Sequence, residues 1–178
     1  MGSQTWPVGL TFDGVAGIDA GAIVAFLRGS DWPFHRVRRL SVAEAEAMIV
    51  SATNTDSFWI RDAGVTVGLV RLLDLDDVED GSPLFDLRIA EGHRGRGLGT
   101  AAVKWLSEHL FIEFPRLHRI EATTRNDNSA MISILERSSY RLEGVLRESW
   151  KDGNGTRHDT MVYGLLRREW WASLPNSS

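Results

Sequence analysis

One stretch in the middle of the chain restricts the possible folds more than any other. Residues 84–90 form an apolar extended run, residues 94–99 read Arg-Gly-Arg-Gly-Leu-Gly, and from Leu98 apolar residues recur at helical spacing. This order predicts a strand, a glycine-rich turn and a helix. Backbone N–H groups and the helix dipole attract an anion at such a helix start, and glycines allow its close approach. The stretch therefore predicts a site for a phosphate-bearing ligand, with Arg94 and Arg96 adding positive charge.

The spacing of the glycines separates this turn from other phosphate-binding turns. A dinucleotide-binding turn reads Gly-x-Gly-x-x-Gly and a P-loop contains Gly-Lys followed by Ser or Thr, whereas residues 95–99 read Gly-Arg-Gly-Leu-Gly. Residues 94–99 instead resemble the Arg/Gln-x-x-Gly-x-Gly/Ala signature with which the GNAT (Gcn5-related) N-acetyltransferases bind the pyrophosphate of acetyl-CoA. The spacing argues against a nucleotide-dependent oxidoreductase. A turn that only caps a helix is the plainer alternative.

A second stretch carries the same resemblance. Residues 128–144 begin with an asparagine, contain Leu-Glu-Arg at 135–137 and end in Glu-Gly. They are similar to the GNAT segment in which an asparagine opens the fourth helix, and most of all to that of the RimJ- and RimL-like ribosomal-protein acetyltransferases. In the family this asparagine binds the pantetheine arm of CoA, which implies the same role for Asn128. Asn126, Asp127 or Asn128 also fits as the helix cap.

The whole pattern predicts one domain of the α/β (α+β) class. Its order, β-α-α-β-β-β-α-β-α-β-β, is that of the GNAT fold, so the resemblance implies a mixed central sheet of about six or seven strands with about four helices packed on it. The domain spans 1–178, with a core of about 8–168. The predicted strands are 10–12, 57–62, 65–75, 84–90, 117–124, 140–150 and 157–166, and the predicted helices are 19–28, 41–51, 98–114 and 126–137.

Composition limits the class of protein. The chain has 178 residues, enough for one domain, with a net charge of −4 and no cysteine. The lack of cysteine excludes disulfides and a thiol nucleophile, and the negative charge argues against a nucleic-acid partner. The sequence shows neither a signal peptide nor a run of about eighteen apolar residues, so we expect a cytoplasmic protein without a membrane partner. Residues 1–4 read as a loose leader, no metal is expected, and a homodimer stays open.

The resemblance implies acetyl-CoA as cosubstrate and assigns the residues that bind it. In the family the central strand, here 87–90, pairs through its backbone with pantetheine and parts from its neighbour. A backbone N–H of that strand then remains for the oxyanion that forms at the thioester. The implied CoA-binding residues are Leu87, Ile89, Ala90, Arg94, Gly95, Arg96, Gly97, Leu98, Gly99, Thr100, Asn128 and Met131.

The reaction needs a base, because an alkyl ammonium titrates near pH 10 and must lose a proton before its nitrogen attacks. Glu121 is the first candidate, since several relatives place a catalytic glutamate on the strand beside the central one. Asp86, on the central strand itself, is the second. His35, His93, His118 and Glu148 follow these two. The lack of cysteine and of a recognisable Ser-His-Asp set predicts direct transfer, without an acyl-enzyme.

The general acid differs from the family pattern. Many members carry a tyrosine seven residues after the asparagine, which protonates the leaving thiolate, but that position is Leu135 here. Ser129, Ser133 or Tyr140 then takes this role from a shifted position, or solvent does. A thiolate is a tolerable leaving group, since a thiol titrates near pH 8.5.

The acetyl acceptor is the least constrained part of the prediction. An acidic connection of five carboxylates in residues 74–80 would attract a polycation, and the aromatic residues at 32–35 would form an opposing wall. These features predict a small cationic amine, such as an aminoglycoside-like sugar or a polyamine. A solvated loop is the plainer interpretation, and a protein N-terminus or a non-catalytic acyl-CoA-binding module are alternatives. The predicted acceptor-binding residues are Trp32, Phe34, His35, Asp76 and Asp77.

Overall fold

The computed structural model describes residues 9–15, 20–50, 55–76, 78 and 82–174, which contain seven strands and five helices. The strands are β1 (Leu10–Gly14), β2 (Asp56–Asp62), β3 (Val65–Leu73), β4 (Leu84–Ile89), β5 (Arg119–Arg125), β6 (Arg141–Lys151) and β7 (Arg157–Leu166). The helices are α1 (Ala20–Arg28), α2 (Val42–Val50), α3 (Leu98–Glu113), α4 (Ser129–Arg137) and α5 (Arg167–Ser173). None of these helices is long and apolar enough to cross a membrane.

The order of elements agrees with the sequence prediction, and the starts of the helices show why. The predicted capping box of α2 is present, since Glu44 N donates to Ser41 Oγ at 3.3 Å and Ser41 N donates to the Glu44 carboxylate at 2.9 Å. The helix predicted over 126–137 begins at Ser129 instead, because Asn128 caps it. Local signals therefore placed the elements correctly and their ends to within a few residues.

The differences lie where local signals are weak. Helix α5 was not predicted, because it follows β7 without an intervening turn, and Glu169 holds its start by accepting from Leu166 N at 3.2 Å. The strand predicted over 65–75 ends at Leu73, and Asp74 has a positive φ of 60° that ends the extended run. The predicted cap Asp19 and the predicted leader lie outside the described residues.

The strands form two antiparallel sheets instead of one continuous mixed sheet. The order is β1-β2-β3-β4 in the first sheet and β5-β7-β6 in the second. Within the described residues, β4 and β5 are joined by a single backbone hydrogen bond, from Glu121 N to Pro83 O at 3.3 Å. Because Pro83 precedes β4, the strands meet only where β4 begins. The rest of β4 has an open edge.

The backbone of β4 directs alternate N–H groups to this open edge. Ala90 N donates to Val67 O at 2.9 Å and continues the ladder between β3 and β4. Because the direction of hydrogen bonding alternates along an antiparallel strand, the N–H groups of Leu87 and Ile89 point away from β3. The carbonyl of Ile89 agrees with this, since it accepts from Arg94 Nε at 3.0 Å.

Close packing fixes the helices on both sides of the opening. A Cβ on Gly99 of α3 would lie 2.6 Å from Ile134 Cδ1 of α4, so the two helices approach each other at the glycine turn. On the other side, a cluster of buried side chains that includes Leu27, Trp32 and Leu69 holds α1 and α2 to the first sheet. The connection between α1 and α2 is thereby placed beside β4.

Candidate active site

A groove of about 390 Å³ follows the open edge of β4 and the glycine turn. Two of the predicted CoA-binding residues, Ala90 and Arg96, do not line it. The other predicted residues all do, and the structure therefore brings together two stretches that are about thirty residues apart in the sequence. These residues are Leu87, Ile89, Arg94, Gly95, Gly97, Leu98, Gly99, Thr100, Asn128 and Met131.

The glycine turn presents the first turn of α3 to this groove. Gly95 and Gly97 have φ values of 75° and 80°, a left-handed conformation that favours glycine. Gly97 is also the N-cap residue of the 16-residue helix α3, and no side chain caps the helix. The backbone N–H groups at the start of α3 are therefore available to an anion in the groove.

Arg94 supports the turn from inside the groove. Its Nε donates to Ile89 O at 3.0 Å, its Nη2 donates to the carbonyl of Asp31, and its guanidinium lies 5.5 Å from the centroid of the Trp32 ring. These contacts connect the glycine turn to the end of β4 and to the loop between α1 and α2. Arg94 still lines the groove, so its charge would attract an anion there.

Two predicted CoA-binding residues lie elsewhere, for physical reasons. Arg96 donates from Nη2 to Asp62 at 2.7 Å and bonds His93 Nδ1 through Nη1 at 3.0 Å, so its guanidinium faces the first sheet. Ala90 turns its N–H to Val67 O, at 2.9 Å, and not to the open edge. Of the two arginines, Arg94 lines the groove and Arg96 does not, so the geometry favours Arg94, and a role of Arg96 in binding CoA stays a prediction.

A second cavity, of about 540 Å³, adjoins the groove at β4. Its lining comes from β3, β4, β5, the end of β6 and the loop between α1 and α2. The two cavities meet, because five residues line both of them: Phe34, His35, Leu87, Asn128 and Met131. A molecule in the groove and a molecule in the second cavity would therefore come into contact at Leu87, on the open edge of β4.

Asn128 caps α4 and also lines both cavities. Its side-chain oxygen accepts from Met131 N at 3.2 Å, which caps α4, and its Nδ2 donates to Thr124 Oγ1 at 3.1 Å. Asn128 is thus the cap of α4, and its contact with pantetheine stays a prediction that its position in the groove allows.

The predicted acceptor residues are placed differently from one another. Phe34 and His35 line the second cavity, whereas Trp32 is buried at 1% exposure and lines the groove, where Arg88 and Arg94 lie over its ring. Asp76 is described but lines neither cavity, and Asp77 lies outside the described residues. Of the acidic connection, Asp74 lines the second cavity.

Comparison with known proteins agrees with this geometry. The sequence model of a protein family, the acetyltransferase (GNAT) domain, matches residues 10–141. The chain belongs to the GNAT family. Two curated relatives of this GNAT domain are p20 of Bacillus licheniformis, named an uncharacterized N-acetyltransferase (31% identical over 66% of the chain), and YdaF of Bacillus subtilis, provisionally named a ribosomal N-acetyltransferase (32% identical over 60%). The matches span 64% and 57% of the lengths of those relatives.

Solved structures confirm the predicted fold. The GNAT domain is similar to the spermidine N-acetyltransferase of Vibrio cholerae in complex with CoA and spermine, with a TM-score of 0.74, 22% identity and coverage of 92% of this chain and 99% of the other. A second structure, provisionally described as an acetyltransferase, shares 24% identity over 85% of this chain and 89% of the other, with a TM-score of 0.69. At these identities the likeness concerns the fold.

The two predicted bases of the GNAT domain lie in different surroundings. Asp86 lines the second cavity, and burial alone would raise its pKa, but the hydrogen bond from His35 and the charge of Arg88 together hold that pKa well below its ordinary value. Glu121 lines neither cavity, and its carboxylate accepts from Arg119 at 3.3 Å. Its role as the base stays a prediction, and the geometry does not favour it.

The candidates for a general acid are also separated by their positions. Leu135 is fully buried in the core, and Tyr140 bonds Ser107 Oγ at 2.9 Å within the core. Burial raises the pKa of the Tyr140 hydroxyl above its ordinary value. Ser133 lines the groove. A leaving thiolate in the groove therefore has Ser133 nearby and Tyr140 out of reach.

Sequence reasoning missed several residues that the GNAT fold brings to the two cavities. Arg71 and Trp150 line the second cavity, from β3 and β6. Nothing local marks either one, because each faces the cavity only through the pairing of its strand. Ala130, Ile134 and Arg137 line the groove from one face of α4. They are four and three residues apart, and this helical spacing was a signal that would have found them.

Proposed function

We propose that this chain is an acetyl-CoA-dependent N-acetyltransferase that moves the acetyl group to a primary amine by direct attack in a ternary complex. The observation that carries the proposal is the meeting of two cavities at the open edge of β4. The groove has two features of a CoA site. Backbone N–H groups at the start of α3 are available as hydrogen-bond donors, and alternate N–H groups of β4 point away from β3 into the opening. The second cavity gives an acceptor access to the same strand.

The backbone of β4 supplies the electrophilic half of the chemistry. The N–H groups of Leu87 and Ile89 point to the opening, and Leu87 lines both cavities. A thioester carbonyl placed there would accept a hydrogen bond from one of these N–H groups. The same hydrogen bond would stabilise the oxyanion of the tetrahedral intermediate. Because the backbone is fixed by the β3–β4 ladder, this donor needs no rearrangement during the reaction.

The acceptor we propose is a small cationic amine. The second cavity has the carboxylate of Asp74 on its wall and the rings of Phe34, Phe85 and Trp150 around it. A carboxylate and aromatic faces both favour an ammonium group, the aromatic faces through their negative π-surfaces. The fold likeness to the Vibrio cholerae spermidine N-acetyltransferase agrees with this class of acceptor.

An assay of CoA thiol release, with a panel of polyamines, aminoglycosides, amino acids and short peptides, tests the proposed function. We expect release to depend on the amine and to be fastest for a small polyamine. Binding of acetyl-CoA by calorimetry without release for any amine would indicate the non-catalytic acyl-CoA-binding module. Neither binding nor release would contradict the proposal altogether.

We expect Asp74→Asn to lower kcat/KM for cationic amines at low salt, by about two- to fivefold, because a surface charge pair contributes up to about 1 kcal/mol. The loss should shrink as salt is added, since screening removes the same attraction. Glu113→Gln is the matched control, because it removes an exposed carboxylate at the end of α3, outside both cavities. Equal effects of the two substitutions would contradict a local role for Asp74.

Arg71 favours a second candidate acceptor, the N-terminus of a peptide that also carries a side-chain carboxylate. Arg71 is buried at 8% exposure yet lines the second cavity, and its Nη2 donates to Met48 O at 3.0 Å. A buried guanidinium in a binding cavity is suited to a carboxylate. The relative YdaF, provisionally named a ribosomal N-acetyltransferase, agrees with this acceptor class.

Rates with two tetrapeptides, which differ only in having aspartate or asparagine at the second position, distinguish the peptide acceptor from the polyamine acceptor. If the peptide is the acceptor, wild type should prefer the aspartate form, and Arg71→Met should remove the preference. Activity with polyamines alone, unchanged by Arg71→Met, would exclude the peptide acceptor.

A further inference from the structure

We propose that His35 is the general base of the reaction and that Asp86 is the residue that positions it. The inference rests on the proposed acetyl transfer and adds to it the group that takes the proton from the acceptor ammonium. It follows from the location of the imidazole, from the hydrogen bond that fixes its tautomer, and from the free nitrogen that this bond leaves.

His35 stands where the base has to be. It lines both the groove and the second cavity, and it is therefore at the junction where an amine would approach a thioester. Its imidazole is 29% exposed. Glu121 and His118 line neither cavity, and His93 lines only the groove, where it bonds Arg96. Of the candidates from the sequence, His35 and Asp86 are the two that line the second cavity.

The bond to Asp86 fixes which nitrogen of His35 carries the proton. His35 Nε2 lies 3.0 Å from Asp86 Oδ1, and Arg88 Nε donates to Asp86 Oδ2 at 3.0 Å. Because Arg88 and His35 keep Asp86 ionised, the carboxylate can only accept, so Nε2 must donate. In the neutral imidazole the proton is then on Nε2, and Nδ1 holds the lone pair.

This lone pair has no partner in the part of the chain that the structure describes. His35 Nδ1 is buried and forms no hydrogen bond with a described residue. A buried nitrogen without a partner is rare, because the missing hydrogen bond destabilises the fold. An ammonium that enters from the second cavity, once the side chains that cover this nitrogen move aside, would supply the missing donor and give its proton to Nδ1.

The loop around His35 is held rigidly, as a positioned base requires. Trp32 Nε1 donates to Leu27 O at 2.7 Å, Trp32 N donates to Arg38 O at 2.7 Å, and His35 N donates to Trp32 O at 3.1 Å. Arg88, which binds Asp86, lies 5.2 Å from the centroid of the Trp32 ring. The imidazole is thus fixed both by its own loop and by the side chains of β4.

Among the described residues, the charged groups that line the second cavity together with the imidazole are Asp86 of β4, Arg71 of β3 and Asp74, which follows β3. Arg71 lies opposite Asp86 in the register of the two strands, and Arg88 of β4 binds Asp86. Asp86 stabilises the imidazolium that forms when Nδ1 takes a proton, and the two arginines oppose it.

The proton balance is complete without another reactant. The acceptor ammonium gives a proton to His35 Nδ1, and the neutral nitrogen then attacks the thioester carbon. The N–C bond forms, the carbonyl becomes an oxyanion bound to a β4 N–H, and the C–S bond breaks as the carbonyl returns. The second proton of the amide-forming nitrogen passes to solvent, and the imidazolium returns its proton to the thiolate of CoA.

His35→Gln tests the inference, with His118→Gln as the matched control because His118 is exposed and outside both cavities. We expect His35→Gln to lower kcat about 100-fold or more, the range of general-base catalysis, and to leave CoA affinity by calorimetry within about twofold. The acidic limb of the wild-type pH–rate profile should disappear in this variant. Acceptors whose amines are already neutral at the assay pH should lose much less rate than alkyl amines.

Asp86→Asn separates positioning from simple structural support. If Asp86 acts through His35, the variant should lower kcat nearly as much as His35→Gln, and the double variant should be no slower than His35→Gln alone. If the losses of kcat in the two single variants multiplied in the double variant, the two residues would act independently, and this result would contradict the positioning role of Asp86. A His35→Gln variant with wild-type kcat and pH profile would overturn the inference while leaving the acetyltransferase intact. A wild-type protein that releases no thiol with any amine would overturn the proposed function itself.

Discussion

Replacing Gly97 with valine should weaken the binding of CoA by about 10- to 100-fold, because hydrogen bonds to a charged group contribute about 1.5–3 kcal/mol each. Gly97 has a φ of 80° at the start of α3, where a valine is strained, and its Cβ would occupy open space in the groove. Either the turn changes its conformation or the side chain stands where the pyrophosphate would lie. Both results separate the anion from the N–H groups of the helix. Calorimetry with CoA and with dephospho-CoA measures the loss.

The control for this experiment is Gly64→Val, in the turn between β2 and β3. Gly64 has a φ of 82°, and a Cβ there also meets nothing within 4 Å, so it carries the same backbone strain away from the groove. We expect Gly64→Val to lower thermal stability and leave CoA affinity unchanged. If both valine variants bind CoA as wild type does, the glycine turn is not the pyrophosphate site.

Gly68→Ala should destabilise the fold and loosen the groove together. A Cβ at this position in β3 would lie 2.8 Å from the carbonyl of Arg88 and 2.9 Å from the Cδ1 atoms of both Ile60 and Ile89. The carbonyl belongs to the backbone of β4, so relief requires the strands to shift. Overpacking of this kind costs about 1–3 kcal/mol, or about 2–4 °C of Tm per kcal/mol in a domain of this size. Since Ile89 lines the groove, CoA affinity should fall as well.

Gly144→Ala provides the comparison for the stability measurement. Gly144 is in β6, has no positive φ, and a Cβ there would meet nothing within 4 Å. An alanine restricts the unfolded chain and by itself raises stability by about 0.4–1 kcal/mol where the conformation allows it. The difference in Tm between the two variants reports the close approach of β3 and β4. Equal Tm values for the Gly68→Ala and Gly144→Ala variants would show that β3 and β4 move apart without loss of stability.

Local chemistry explains why the glycine turn was predictable from the sequence. Strand, glycines and helix follow one another within residues 84–113, and each is specified by its own spacing. The cap at Asn128 and the capping box at Ser41 are equally local. The family resemblance uses these same stretches, which is why the fold and the groove agree with it.

The catalytic side of the site depends on distant contacts, which a single sequence does not encode locally. Arg96 was expected at the phosphate, but Asp62, 34 positions away, binds it instead. His35 and Asp86 are 51 positions apart, and neither spacing nor composition connects them. Arg71 carries no local signal for the cavity, since an arginine within a run of buried apolar residues is read first as part of a strand.

The seam between the two sheets has a consequence for how the protein folds and opens. Each sheet is built from a contiguous part of the chain, with β1 to β4 within residues 10–89 and β5 to β7 within residues 119–166. Neighbouring strands of this kind form early, because little loop entropy is lost in closing them. The cavities exist only after the two halves dock, so we expect them to form last during folding and to open first in sub-global unfolding. A ligand bound across the seam would stabilise the docked arrangement of the two sheets. We therefore expect bound CoA to slow amide hydrogen exchange in both halves at once.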